Sequence, residues 1–238
     1  MPNITVSGVD QQGNPWANQA RTVDKLPTEC PICGTTIVAQ LFTPGFVAYD
    51  LLELFARCAN PRCFRSFISL YAVDRGMSTV QTPNFFLFQR SVPVEAKPVA
   101  VSATVVDVSP SFVRISSQAR LAEENGLDEI AGPGYRKALE FLIKDYAISL
   151  QTDEAAKAEI KRIQLGNVIT KFLDGDKLPI VSKRAAWLGN DETHYERRWT
   201  GKDLDDLKNL ISAVEHFVAM EVLVKDLPTE MPDPAQKP

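Results

Sequence analysis

Apolar side chains recur every three to four positions from residue 110 onward, whereas earlier they gather in short β-prone runs, so hydrophobic patterning alone divides the chain in two. In the first part, residues 35–42 are rich in β-branched and apolar residues ahead of Pro44-Gly45, and residues 64–73 alternate. This predicts two strands, the first ending in a turn. Residues 48–57 fit either a short helix or a strand. Residues 84–94 form another apolar run, Pro93 and Pro98 bracket a linker, and the β-branched stretch 99–108 predicts one more strand.

In the second part, Tyr135, Ala138, Leu139, Leu142, Ile143, Tyr146 and Ala147 place one apolar stripe on a core helix. A helix over residues 111–124 is expected to end at Asn125-Gly126, and Pro133 marks either the start of the next helix or a kink in it. Residues 153–172 read as helical with a break at Gly166-Asn167, and residues 180–188 as a shorter helix. Thr200 and Asp203 resemble a helix-capping arrangement. The helix that follows is expected to run to about Val224, with Leu204, Leu207, Ile211, Val214 and Val218 as one stripe and Leu210, Phe217 and Val224 widening it. Residues 1–25 and 227–238, polar or proline-rich, read as flexible tails. The expected fold class is therefore α+β: a β-rich module with its linker over residues 26–98, then a helical bundle over residues 99–226.

The chain has 238 residues, 45% of them hydrophobic and 24% charged, which suits packed domains and not disorder. A net charge of -4 excludes coating of nucleic acid or acidic lipid through bulk positive charge. No apolar run approaches the roughly 18 residues of a bilayer span, and no secretory signal opens the chain, so a cytoplasmic protein is expected with no membrane contact.

Chemistry enters with the cysteines. Cys30, Cys33, Cys58 and Cys63 are the only four, set as C-P-I-C-G and C-A-N-P-R-C. Two close thiolate pairs joined by a hairpin suit a tetrahedral ion, and four protein ligands leave no position for a reacting water. The expectation is one structural zinc per chain in a zinc ribbon or knuckle, with two disulfides or four separate thiols as the alternatives. Such binding contributes on the order of 10 kcal/mol to small modules. Arg57, Arg62, Arg65 and Arg75 surround the second pair against Asp74, so Arg57, Arg62 and Arg65 are candidate phosphate contacts, or else ordinary solvated arginines.

Two segments of the helical half carry a resemblance: G-P-G-Y-R-K-A-L-E-F-L-I-K over residues 132–144, and A-W-L-G-N-D-E-T-H over residues 186–194. They resemble the helical domain of unknown function 4145, a bacterial and phage family found alone or attached to restriction and other defence proteins, often behind a cysteine-rich module. That family is similar in turn to the HEPN superfamily of helical bundles, whose active members cleave RNA without a metal. The resemblance implies an arginine followed after four to six residues by a histidine, with a polar residue just after the arginine, and two chains combining their motifs in one cleft. Histidine would move a proton and arginine would stabilise the phosphate attacked by the 2′-hydroxyl. Asn190 and His194 match that motif, but Gly189 stands where the arginine is expected. Arg184, ten residues before His194, and Arg198, four after it, are the substitutes within the segment.

A structural reading stands beside this one, with Gly189 and Asn190 ending a helix and His194 bonded within a turn. Glu140 is placed to pair with Arg136 or Lys144, or to anchor Arg184. Trp187 and Trp199 either stack on a base or pack between helices. Three functions follow: a zinc-stabilised helical interaction module in phage defence or nucleic-acid metabolism, a divergent metal-independent ribonuclease, or a DNA-binding regulator acting through the zinc module. The first is preferred, as a homodimer with a protein or RNA partner, no small-molecule cofactor and no robust enzyme activity.

Overall fold

The computed structural model describes residues 4–9, 21–48, 50–76 and 85–231, and the chain forms two compact units, Met1–Glu95 and Ala96–Pro238. The first is a seven-stranded sheet: β1 (Ile4–Val6), β2 (Gly8–Val9), β3 (Arg21–Val23), β4 (Gln40–Ala48), β5 (Leu51–Arg57), β6 (Ser66–Val73) and β7 (Phe85–Val92). Its spatial order is β1-β3-β7-β6-β5-β4-β2. Antiparallel pairing runs from β4 through β7 and joins β1 to β3, while β3 lies parallel to β7 and β2 to β4.

Alternation sets the register at the centre. Leu52, Leu54 and Ala56 of β5 are buried opposite Tyr71, Ser69 and Phe67 of β6, and a one-residue slip would turn all six to the other face. Ala56 and Phe67 pack with Cys30, Cys58, Ile32 and Ile37 at one end, and Leu52, Leu54 and Tyr71 with Val6, Val23 and Phe86 at the other. Val6 and Val23 thus belong to a core, although residues 1–25 read as a tail. Strands this short carry too few positions to display a period.

Of residues 48–57, Ala48 ends β4 and Leu51–Arg57 form β5, and the runs 64–73 and 84–94 supply β6 and β7. Two β expectations change within this unit. Of residues 35–42 only those from Gln40 enter a strand, because Thr36 folds back to bridge Glu29 around the first cysteine turn. Pro44-Gly45 is not the reversal: it lies inside β4, where pairing to β5 shifts register between Phe42 and Phe46 and tolerates a residue with no amide donor.

The second unit is helical: α1 (Ala103–Val108), α2 (Pro110–Glu124), α3 (Asp128–Ser149), α4 (Glu154–Arg162), α5 (Leu165–Phe172), α6 (Lys177–Asp191) and α7 (Leu204–Glu230). The stretch 99–108, expected as a strand, holds α1. Ser102 accepts the Val105 amide at its start, and this cap outweighs β-branched composition. Ser109 then caps α2, with Pro110 in its first turn, and α2 closes at Asn125 with Gly126 at φ 69°.

Every residue of the α3 stripe is buried, and burial of side chains such as Leu139, Leu142 and Ile143 contributes about 1.5–3 kcal/mol each. Pro133 neither starts nor breaks α3. The break between α4 and α5 falls at Ile163 and Gln164, and Gly166 and Asn167 lie in the first turn of α5. The cap of α7 is Asp203 with Asp206, not Thr200: each carboxylate accepts the other residue's amide, at 2.9 and 3.2 Å. This helix passes Val224, which is 57% exposed and not covered, and extends to Glu230. The expected carboxy-terminal tail is therefore helical at its start, and residues 232–238 lie outside the described residues, as do 10–20 of the amino-terminal one. Among the described residues no helix is long and apolar enough to cross a membrane.

Candidate functional site

The four cysteines converge. Their sulfurs all lie within 4.8 Å of one another, Cys30 and Cys58 buried, Cys63 half-buried and Cys33 exposed. Cys33 Sγ and Cys58 Sγ, from opposite turns, stand 3.8 Å apart. Four sulfurs at about 2.3 Å from one tetrahedral ion are separated by about 3.8 Å, whereas a disulfide closes to about 2 Å. All four are free thiols, and the group can hold a metal ion.

Both cysteine turns are built alike, with the first cysteine of the second turn set two residues further out. In the first, the Gly34 amide donates to Cys30 O at 2.9 Å, with Gly34 at φ 70°. In the second, the Phe64 amide donates to Asn60 O at 2.9 Å, with Phe64 at φ 54°. Asn60 thus holds the slot that Cys30 holds in the first turn, and the second ligand pair gains its wider spacing because Cys58 sits two residues earlier. Asn60 ties the centre together: its amide donates to Cys58 Sγ at 3.4 Å and its side-chain Nδ2 to Thr35 Oγ1 at 3.1 Å. Hydrogen bonding with the Thr35 side chain and backbone holds the Cys33 thiol down to about 6, while burial pushes Cys58 up to about 12. A cation among the sulfurs would offset that burial cost.

The candidate phosphate contacts around this centre are mostly engaged. Arg65 pairs with Glu95 at 2.6 Å, and Arg57 lies over the Phe64 ring at 4.1 Å and donates to its carbonyl. Arg75 pairs with Asp50. Of Arg57, Arg62 and Arg65, only Arg62 is exposed without a side-chain partner among the described residues.

In the helical unit, α6 continues through Gly189 and Asn190 to Asp191, so those residues do not end it. The place of the expected arginine is filled from another helix. A Cβ on Gly189 would lie 2.6 Å from Arg136 Cδ, and Arg136 of α3 lies across this position. Its Nε donates to Asn190 Oδ1 at 2.9 Å and its Nη1 to Glu140 Oε2 at 3.1 Å. Glu140 also pairs with Lys144 at 2.8 Å and does not anchor Arg184. Burial alone would raise the Glu140 carboxyl, but Lys144 and Arg136 outweigh it and leave it lowered.

His194 follows α6 in an exposed turn and makes no hydrogen bond among the described residues. It lines an open groove of about 820 Å³ with Trp187, Asn190, Tyr195, Arg198 and Trp199, and a second cavity of about 470 Å³ with Arg136, Asn190 and Lys183. Since the helix stops, Arg198 shares no helical face with His194. Its position is set by Asp191, only 5% exposed, whose Oδ2 accepts the Arg198 and Trp199 amides at 2.8 and 2.6 Å. Arg184 is exposed on α6, donates to Ile180 O and lines a third cavity of about 340 Å³ with Trp187 and Trp199. Both tryptophans, for which packing between helices is the commoner fate, are half-exposed here.

Arg136 and Asp191 are the residues whose roles sequence reading missed. Arg136 belongs to a segment 54 positions from Asn190, and no local spacing joins them. Asp191 stands in an acid-rich stretch with Glu192 and Glu196, and only the fold shows its carboxylate turned inward onto backbone amides. The chain matches no known family model, no curated protein and no solved structure.

Proposed function

We propose that this chain is an interaction protein of two units, one tied by a structural zinc and the other presenting the groove beside α6 as its working surface. The observation carrying this reading is the groove itself: Trp187, Tyr195 and Trp199 are exposed around a cavity with Arg198 and His194 on its wall. Exposed aromatics beside cations are the composition of a binding surface. Zinc fits the cysteine centre because soft thiolates in a tetrahedral four-sulfur set select it, and a closed set gives it a structural role. The resemblance of residues 132–144 and 186–194 to the domain of unknown function 4145 supports a role in phage defence or nucleic-acid metabolism, as a cytoplasmic homodimer. The regulator reading loses support, since two of its three arginines are committed to Glu95 and Phe64.

One observation favours a second reading, a divergent metal-independent ribonuclease. Arg136 lines the same cavity as Asn190 and His194 and brings a guanidinium to a motif that lacks its own. There Arg136 would stabilise the phosphate and His194 would move the proton. Against it, Arg136 is already held by Asn190 and Glu140. Single-turnover incubation with single-stranded RNA and a chelator separates the readings. No cleavage above the His194→Ala background is expected; chelator-resistant cleavage lost in both His194→Ala and Arg136→Gln would install the ribonuclease instead.

A further inference from the structure

Trp187 lines all three cavities and Trp199 two of them. Their side chains are 49% and 48% exposed, and the indoles make no ring contact with one another. Two half-exposed indoles on the cavity walls offer stacking surfaces to a planar ring, an attraction indifferent to which base is presented.

The charges around them complete the pattern. Arg197 is paired with Glu192, and Lys202 with Asp206. Lys183, Arg184 and Arg198 face the same cavities with no acidic partner among the described residues. Asp191 spends its carboxylate on the loop amides, leaving Glu196 as the one lining acid without a partner among the described residues. A chain of net charge -4 therefore carries here three cations without an acidic partner among the described residues, beside exposed aromatics.

We infer, resting on the groove as the working surface, that its ligand is single-stranded nucleic acid, with unpaired bases stacked on Trp187 and Trp199 and phosphates on Lys183, Arg184 and Arg198. A duplex hides its base faces. An acidic peptide would satisfy the cations and leave the indoles bare. A single nucleotide would occupy one of three cavities that meet at Trp187.

Fluorescence anisotropy of the full chain with a dye-labelled single-stranded RNA of about 15 nucleotides tests this. Binding that falls with salt is expected. Trp187→Ala and Trp199→Ala should each weaken it about tenfold, Trp199→Phe should retain most of it, and Arg198→Ala should reduce the salt slope by about 0.7. Circular dichroism of each variant establishes that it is folded, and the phenylalanine variant separates lost stacking from a disturbed loop. The inference is overturned by absence of binding, by equal affinity for the duplex, by equal competition from polyglutamate or a mononucleotide, or by folded alanine variants that bind normally. Those outcomes remove the nucleic-acid ligand, whereas the chelator-resistant cleavage assay decides separately whether the groove is a ribonuclease site.

Discussion

The cysteine centre and the α6 groove are built by opposite means. All four sulfurs come from a 34-residue window, and the backbone of each turn, with Gly34 and Phe64 at positive φ, sets its ligands. The groove and the cavity beside it draw Arg136 from α3, Asn190 from α6 and Arg198 and Trp199 from the following loop, and a buried aspartate holds the last two in place. A site made by local turns announces itself through spacing, whereas one made by helix packing leaves only fragments. The first can be broken at a ligand; the second is broken most effectively at its supports.

The largest effect is expected from Cys58→Ser. It removes a buried ligand, so metal should be lost and amide hydrogens across residues 26–73 should exchange rapidly, read by hydrogen exchange. Next comes Gly189→Arg, which places an arginine directly before Asn190 and five residues before His194. Because Arg136 already fills that space, the substitution should destabilise the helical unit by about 1–3 kcal/mol in thermal melts, the usual cost of overpacking. Gly166→Ala, on a helix with no atom near the added carbon, should instead be neutral or stabilise by up to about 1 kcal/mol.

A smaller effect concerns acid. The Glu140 carboxyl is lowered in the folded protein, so its contribution is complete above the ordinary carboxylate range and is lost as pH falls through the folded value. Arg136→Met should flatten the acid-side decline in stability, measured as denaturation midpoints across pH. The smallest is Phe64→Gly. Relief of a left-handed residue, about 1 kcal/mol, opposes loss of the Arg57 contact on its ring, about 0.5–1 kcal/mol. The unfolding midpoint should barely move, whereas Phe64→Ala, keeping the strain and losing the ring, should lower it.

Much of the fold was legible in the sequence where periods were long. The α3 stripe from Tyr135 to Ala147 is buried in full, and the end of α2 at Asn125-Gly126 follows from its cap. Misreadings arose where one local interaction overrode composition. Ser102 made a helix of a β-branched run, a register shift absorbed Pro44 into β4, and β1 and β3 were too short to show alternation. The four cysteines were legible as one group because every ligand lies on a local turn. Asn190, His194 and the two tryptophans were legible as a segment, but Arg136 became part of the site only through the packing of α3 against Gly189.

One sulfur-bound ion tying the β unit is tested by metal analysis of the reduced full chain after it is offered zinc and freed of excess. Close to one zinc per chain is expected, falling to none in Cys58→Ser. A wild-type protein that binds no metal when offered zinc, while its β strands remain protected from exchange, would contradict it.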